Sequence, residues 1–261
     1  MLIQHNMAQS SAIKRICRDL EKFSESNFPG IWIDVDEEDV TKMKAIIVGP
    51  DDTIYEGAFM YFNLDFPHNY PFKPPKVTHL THQTKNARLH PNLYGGEGKV
   101  CLSILGTWSG PGWTMAMGLT TVLLSIQALL DKEPLRHEPG FESGRDACVE
   151  SFNRATEYNA LDIGVCEMMK RTDIPDELKE KMEEHFKNNT EKYILRAKSL
   201  QEKYPNSRAV LHHYHATNTN FQLLYEQMKS LAYKESEQTK SHTENESEQK
   251  EKGESGEYQG F

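Results

Sequence analysis

The sequence predicts an α+β domain followed by a helical extension. Three observations carry this. An apolar stripe at helical spacing opens the chain, a series of strand patterns separated by turn clusters follows, and a long apolar helix closes the first part. After Gly144 the composition turns helical throughout. The expected organisation is a core over residues 8–150, a helical extension over 151–233 and a disordered acidic tail over 234–261.

The first helix is expected between about Gln9 and Glu25, because Ile13, Ile16, Cys17, Leu20 and Phe23 share one face and Ser10 or Ser11 can cap its start. Its other face carries Lys14, Arg15, Arg18 and Lys22, which suits either solvent or an acidic partner. Ile31, Ile33 and Val35 mark a first strand. Met43 to Val48 is a second, stopped by Gly49-Pro50-Asp51-Asp52. Ala58 to Phe66 alternates as a third strand, and Val77 marks a short fourth beyond Pro74-Pro75, a pair that fits neither a helix nor a central strand. Short turns between successive strands imply an antiparallel meander. Met115 to Leu130 is apolar nearly all round and reads as a buried central helix, ended at Glu133-Pro134. Further helices are expected from Val149, from Glu177 to Phe186, from Tyr193 to Leu200, and around Phe221, Leu224, Met228 and Leu231. From Lys234 onward there are eight Glu, four Lys and no aliphatic residue, too little apolar surface to offset the entropy of ordering.

The totals exclude several functions. A net charge of −9 over 261 residues argues against a dedicated nucleic-acid binder. No run of about 18 apolar residues suits a membrane span. Met1 to Ser10 lacks the basic-then-apolar pattern of a signal peptide. Cys17, Cys101, Cys148 and Cys166 are widely spaced without CxxC pairs, so neither a disulfide framework nor a metal site is expected. A reducing compartment follows, the cytoplasm or the nucleus.

Between Thr81 and Pro111 regular patterning disappears, and so long an irregular stretch inside a domain is usually functional. It contains His82, His90, Asn92, Cys101 and Trp108. Gly95, Gly96 and Gly98 precede Cys101 and give a loop that can leave a thiol at a surface. Cys101 is the candidate nucleophile, able to hold an acyl group as a thioester. Exchange between a thioester and a thiol is nearly isoenergetic and needs access and some thiolate rather than a strongly depressed pKa. Were such an acyl group passed to an amine, charge would build on the carbonyl oxygen, and Asn92 could donate to that oxyanion or brace the loop. Asp131, Glu133, His137 and Glu138 are candidates to orient or deprotonate the amine, with His137 favoured because imidazole titrates near neutral pH. Competing readings are a cysteine hydrolase pairing Cys101 with His82, His90 or His137, a zinc site of His79, His82, His90 and Cys101, and a catalytically silent adaptor.

Several motifs, in order and at matching spacing, resemble those of ubiquitin-conjugating enzymes. They are Ala12-Ile13-Lys14-Arg15-Ile16, the segment from Gly49 to Gly57, Tyr70-Pro71-Phe72-Lys73-Pro74-Pro75-Lys76-Val77, His90-Pro91-Asn92 and Cys101-Leu102-Ser103-Ile104-Leu105. The wording from Gly98 to Trp108, with Glu138-Pro139-Gly140-Phe141-Glu142, is similar to the Z-type branch, which is associated with the second ubiquitin-activating enzyme and an additional ubiquitin-like modifier. The resemblance implies a core of an N-terminal helix, a four-stranded antiparallel sheet, a catalytic loop and a central helix. It implies that Cys101 carries ubiquitin or a ubiquitin-like modifier, with Asn92 as the loop asparagine and His90 shaping the loop. It further implies docking of the activating enzyme (E1) on Lys14, Arg15 and Arg18, and a ligase (E3) contact at Phe72 and Met115. No cofactor is implied on this chain, since the E1 consumes the ATP. Protein substrates are the implied acceptors, with no nucleic acid and no membrane involved. The sequence departs from the family pattern in four places. One extra residue separates Asn92 from Cys101, and Ser103 replaces a common acid. Thr114-Met115-Ala116 stands for Ser-Pro-Ala, and His137 falls where an acid often follows the central helix.

Overall fold

The computed structural model describes residues 11–234 apart from 86, 207 and 212–215, and apart from the side chains of 82, 84, 208–211 and 216. The expected acidic tail falls almost wholly outside the described residues, as do positions 8–10.

Helix α1 (Ser11–Ser26) sets Ala12 and Ile16 into the core, with Leu20 and Phe23 packed at its edge, as the apolar stripe requires. Four strands follow, β1 (Ile31–Val35), β2 (Lys42–Val48), β3 (Phe59–Asp65) and β4 (Lys76–His79), forming one antiparallel sheet in chain order. The strand period of two decides which residues share a face. Cross-strand partners Met43 and Leu64, Ala45 and Phe62, and Ile47 and Met60 face inward. There they meet α1 and the central helix α2 (Leu119–Gln127). Ile46 and its partner Tyr61, with Val48 and its partner Phe59, point to the opposite face.

That outer face is also buried, which is unusual for an antiparallel meander. The extension covers it. Helix α3 (Asp146–Leu161) runs into a π-type turn, Asp162–Glu167. Helices α4 (Asp176–Asn188) and α5 (Thr190–Lys203) then lay Leu178, Met182, Phe186 and Tyr193 over Phe59 and its neighbours. A hairpin of β5 (Arg208–Leu211) and β6 (Ala216–Thr219) and a helix α6 over 221–234 complete the layer. Gly164 has to be small, since a Cβ there would lie 2.8 Å from that of Ala58. Polar ties fix the seam. Tyr193 donates to the Gly57 carbonyl at 2.7 Å, Arg196 to that of Ile54 at 2.7 Å, and Lys85 pairs with the buried Asp162 at 2.7 Å.

The structure differs from the sequence reading in three respects. Helix α2 is shorter than Met115 to Leu130 and not buried on every side, because Leu124 is partly exposed while Leu119, Val122, Leu123 and Ile126 are buried. The expected boundary at residue 150 falls inside α3, whose Ala160 joins the inner core. The β5–β6 hairpin occupies a region where only helices were expected.

Candidate active site

The irregular stretch folds back on the sheet as a flap. The Gly98 carbonyl accepts from the His79 amide at 2.7 Å, and Lys99 bridges to Thr78, so the segment leading to Cys101 lies along the free edge of β4. Leu93 bridges to Val100 on the other side. This corrects the expectation of a surface thiol. Cys101 is only 1% exposed, and the sulfur must be uncovered before it can react. Cys166 is also buried, which pushes its thiol up to about 12. Cys17 is half-buried and Cys148 exposed.

Asn92, His90 and His137 are brought together with Cys101 in one file. The Cys101 amide donates to the Asn92 carbonyl at 2.8 Å, and the Asn92 side-chain amide donates to the Cys101 carbonyl at 2.8 Å. His90 is fully buried and its Nδ1 accepts from the Asn92 amide at 2.9 Å, which leaves the ring a neutral acceptor. The His137 ring lies 5.3 Å from that of His90, and its Nε2 is 2.8 Å from Asp131 Oδ2. Asn92 thus spends its amide on the loop in this conformation, and His137 is already partnered by a carboxylate. The zinc reading includes His82, whose side chain lies outside the described residues. Among the described residues no group of three or more His, Cys, Asp and Glu is placed to hold a metal.

Burial, and next the charge of His137, holds His90 well below the usual histidine range, with the Leu129 backbone opposing. Burial, and then Lys192, lowers His185. In the pH range below about 6.5 the unfolded chain therefore binds more protons than the folded one, so stability rises with pH. The thermal midpoint is expected to fall as pH drops from 7 to 5. His185→Phe should show a shallower fall over the same window, and an unchanged profile would remove His185 from the account.

The residues expected at partner surfaces divide. Lys14 and Arg18 are exposed on α1. Arg15 is not free for a partner. Its guanidinium donates to Asp19 at 2.9 Å and to the carbonyls of Met115 and Met117 at 2.8 and 2.7 Å. The buried Asp19 also accepts from the Tyr70 hydroxyl. Phe72 is 67% and Met115 55% exposed, and Trp113 anchors their neighbourhood by donating to the Pro71 carbonyl at 2.7 Å. Asp19→Ala leaves Tyr70 and one edge of Arg15 unpaired. Breaking a buried pair from one side typically costs about 3–5 kcal/mol, and here the lower end is expected because two carbonyls still hold Arg15. The urea midpoint measures it. Nothing in the sequence around Asp19 distinguishes it from a solvated charge on α1.

A sequence pattern described as ubiquitin-conjugating enzyme matches residues 15–159, a segment that contains most of α1, the whole sheet, the flap with Cys101, and α2. The chain belongs to the ubiquitin-conjugating enzyme family. It is similar to ubiquitin-conjugating enzyme E2 Z of Xenopus tropicalis, at 40% identity over 69% of this chain and 58% of that protein. E2 Z of Homo sapiens matches at 40% identity over 66% of this chain and 49% of its own length. These relatives associate it with the Z-type branch, and the chain spans about half their length. Among solved structures, human ubiquitin-conjugating enzyme E2 G1 matches 48% of this chain and 98% of its own, at 28% identity and a TM-score of 0.41. Among the described residues no helix is long and apolar enough to cross a membrane.

Proposed function

We propose that this ubiquitin-conjugating enzyme accepts ubiquitin or a ubiquitin-like modifier from an E1 as a thioester on Cys101, and passes it to a lysine amine with the help of an E3. The observation that carries the reading is the reciprocal pair of hydrogen bonds between Asn92 and the Cys101 backbone, within the segment that matches the family. In this reading Asn92 braces the loop at rest. His90 supports Asn92, and the Asp131–His137 pair, lying beside His90, orients the incoming amine. Lys14 and Arg18 form the E1 surface, with Arg15 stiffening the loop beneath Met115. Phe72 and Met115 form the E3 surface. Protein substrates supply the acceptor lysines, and no cofactor acts on this chain, ATP being used by the E1. Its place of work is the cytoplasm or the nucleus. Residues 8–150 hold the chemistry and 151–233 support them.

The test is incubation with ATP, activating enzymes and ubiquitin. A covalent adduct that reductant removes is expected on this chain. Absence of any adduct, with the second activating enzyme and with ubiquitin-like modifiers included, would leave the silent-adaptor reading, which the burial of the thiol favours.

A further inference from the structure

Two peptide planes bound Cys101, and each offers one amide N–H and one carbonyl. In the first plane the Cys101 N–H donates to the Asn92 carbonyl at 2.8 Å, while the Val100 carbonyl accepts from the Thr107 hydroxyl at 2.6 Å. In the second, the Cys101 carbonyl accepts from the Asn92 side chain at 2.8 Å, while the Leu102 N–H donates to Thr107 Oγ1 at 2.9 Å. A carbonyl only accepts and an amide N–H only donates, so Thr107 Oγ1 accepts from the Leu102 N–H and donates to the Val100 carbonyl at 2.6 Å, with the Leu102 carbonyl, at 3.2 Å, a longer second acceptor. All four polar groups are thereby satisfied by two residues, Asn92 on one side and Thr107 on the other.

We propose that Thr107 is a positioning residue that fixes the direction of the Cys101 side chain. The proposal rests on the thioester reading of Cys101. Turning φ or ψ of Cys101 swings one of these planes, and each plane is tied at both ends. The Cα–Cβ bond of Cys101 is therefore held against the rest of the flap, and the sulfur is left only its rotamers about that bond. The two clamps differ in what chemistry can ask of them. If Asn92 releases the Cys101 carbonyl to face a developing oxyanion, one end of the second plane comes free. Thr107 still holds the other end, and the loop keeps its shape through that step.

Local structure explains how a residue six positions downstream reaches back. After Leu102 the chain makes a single turn of 3-10 helix, Ser103–Leu105, in which the Leu105 amide donates to the Leu102 carbonyl at 3.0 Å. Gly106 then reverses direction at φ +69°, with its amide on the Ser103 carbonyl at 2.9 Å. A Cβ at Gly106 would meet nothing within 4 Å, so the backbone angle, not space, calls for glycine. The reversal delivers Thr107 to the far side of Cys101 from Asn92.

Thr107→Val keeps the shape and removes the hydroxyl, and Thr107→Ser keeps the hydroxyl. After charging, discharge to free lysine is followed in single turnover across lysine concentration, well below the thermal midpoint of each variant. Small misplacements of a reacting atom cost up to about 100-fold. The valine variant is expected to lose about 10-fold or more in maximal discharge rate with the half-saturating lysine concentration unchanged, and serine to recover it to within about 2-fold. A valine variant that discharges like wild type, or a serine variant as slow as valine, overturns the proposal. If the valine variant does not fold, Thr107→Ala makes the same comparison. Alkylation of Cys101 by iodoacetamide, read by mass spectrometry, needs no E1. Valine should alkylate several-fold faster than wild type while serine matches it, and equal rates for all three overturn the positioning role. A wild type that cannot be charged overturns the thioester reading instead, and the alkylation rates then decide the case of Thr107 separately.

Discussion

Cys101→Ser is expected to turn a reductant-sensitive adduct into one that survives reductant, and to stop transfer onward. In the proposed reaction the thiol exchanges a thioester for a thioester, so the bond formed resembles the bond broken and the modifier would move on readily. A serine hydroxyl forms an oxygen ester, which resists both thiols and amines. The burial of the site sharpens this result, because the Asn92 and Thr107 bonds are to backbone groups on either side of Cys101 and do not depend on its side chain, so serine occupies the same place. Cys148, the exposed thiol among the four cysteines, provides the control. Cys148→Ser should charge like wild type. Cys166 is a poor rival because burial raises its thiol to about 12 and leaves almost no thiolate at neutral pH. If Cys101→Ser still gave a reductant-sensitive adduct, another sulfur would be the carrier and the assignment of the site would fall. Gels run with and without reductant decide between the outcomes.

A chain ended after Leu161 is expected not to fold into a stable domain, although it retains the entire segment that matches the family. The reason lies in the outer face of the sheet. Ile46, Val48, Phe59 and Tyr61 are buried there by residues from the extension, including Leu178, Met182, Phe186 and Tyr193. Uncovering a large apolar side chain forfeits roughly 1.5–3 kcal/mol, so four of them lose roughly 6–12 kcal/mol. That is of the order of the whole stability of a typical domain, about 5–15 kcal/mol. The exposed strip would also invite association. Thermal unfolding followed by near-UV circular dichroism should show no cooperative transition for the short chain. Polar replacements on the outer face, such as Ile46→Thr with Phe59→Lys, should restore solubility if exposure is the cause. A short chain that melts cooperatively at the full-length midpoint would show that the extension is dispensable for folding.

Much of the architecture was legible because it is written in local periods. The stripe of Ile13, Ile16, Leu20 and Phe23 specifies a one-sided helix, and the turn cluster from Gly49 to Asp52 specifies where β2 stops. The third strand shows the limit of such reading. Phe59 and Tyr61 alternate with Met60 and Phe62, and apolar residues at both parities say that both faces are covered without saying by what. Only the packing of α4 and α5 supplies the answer, because that contact joins positions more than a hundred residues apart.

The active site divides along the same line. The residues themselves determined that one cysteine follows a glycine-rich loop, that an asparagine and a histidine precede it at short spacing, and that the family motifs stand in order. Tertiary structure alone decided that the thiol is covered, that Arg15 is consumed by Asp19 and two loop carbonyls, and that Thr107 returns to hold the peptide planes beside Cys101. The physical reason is that period and composition report which faces a chain must bury. Hydrogen bonds depend on where remote backbone groups come to rest, and that is set only when the whole chain has packed.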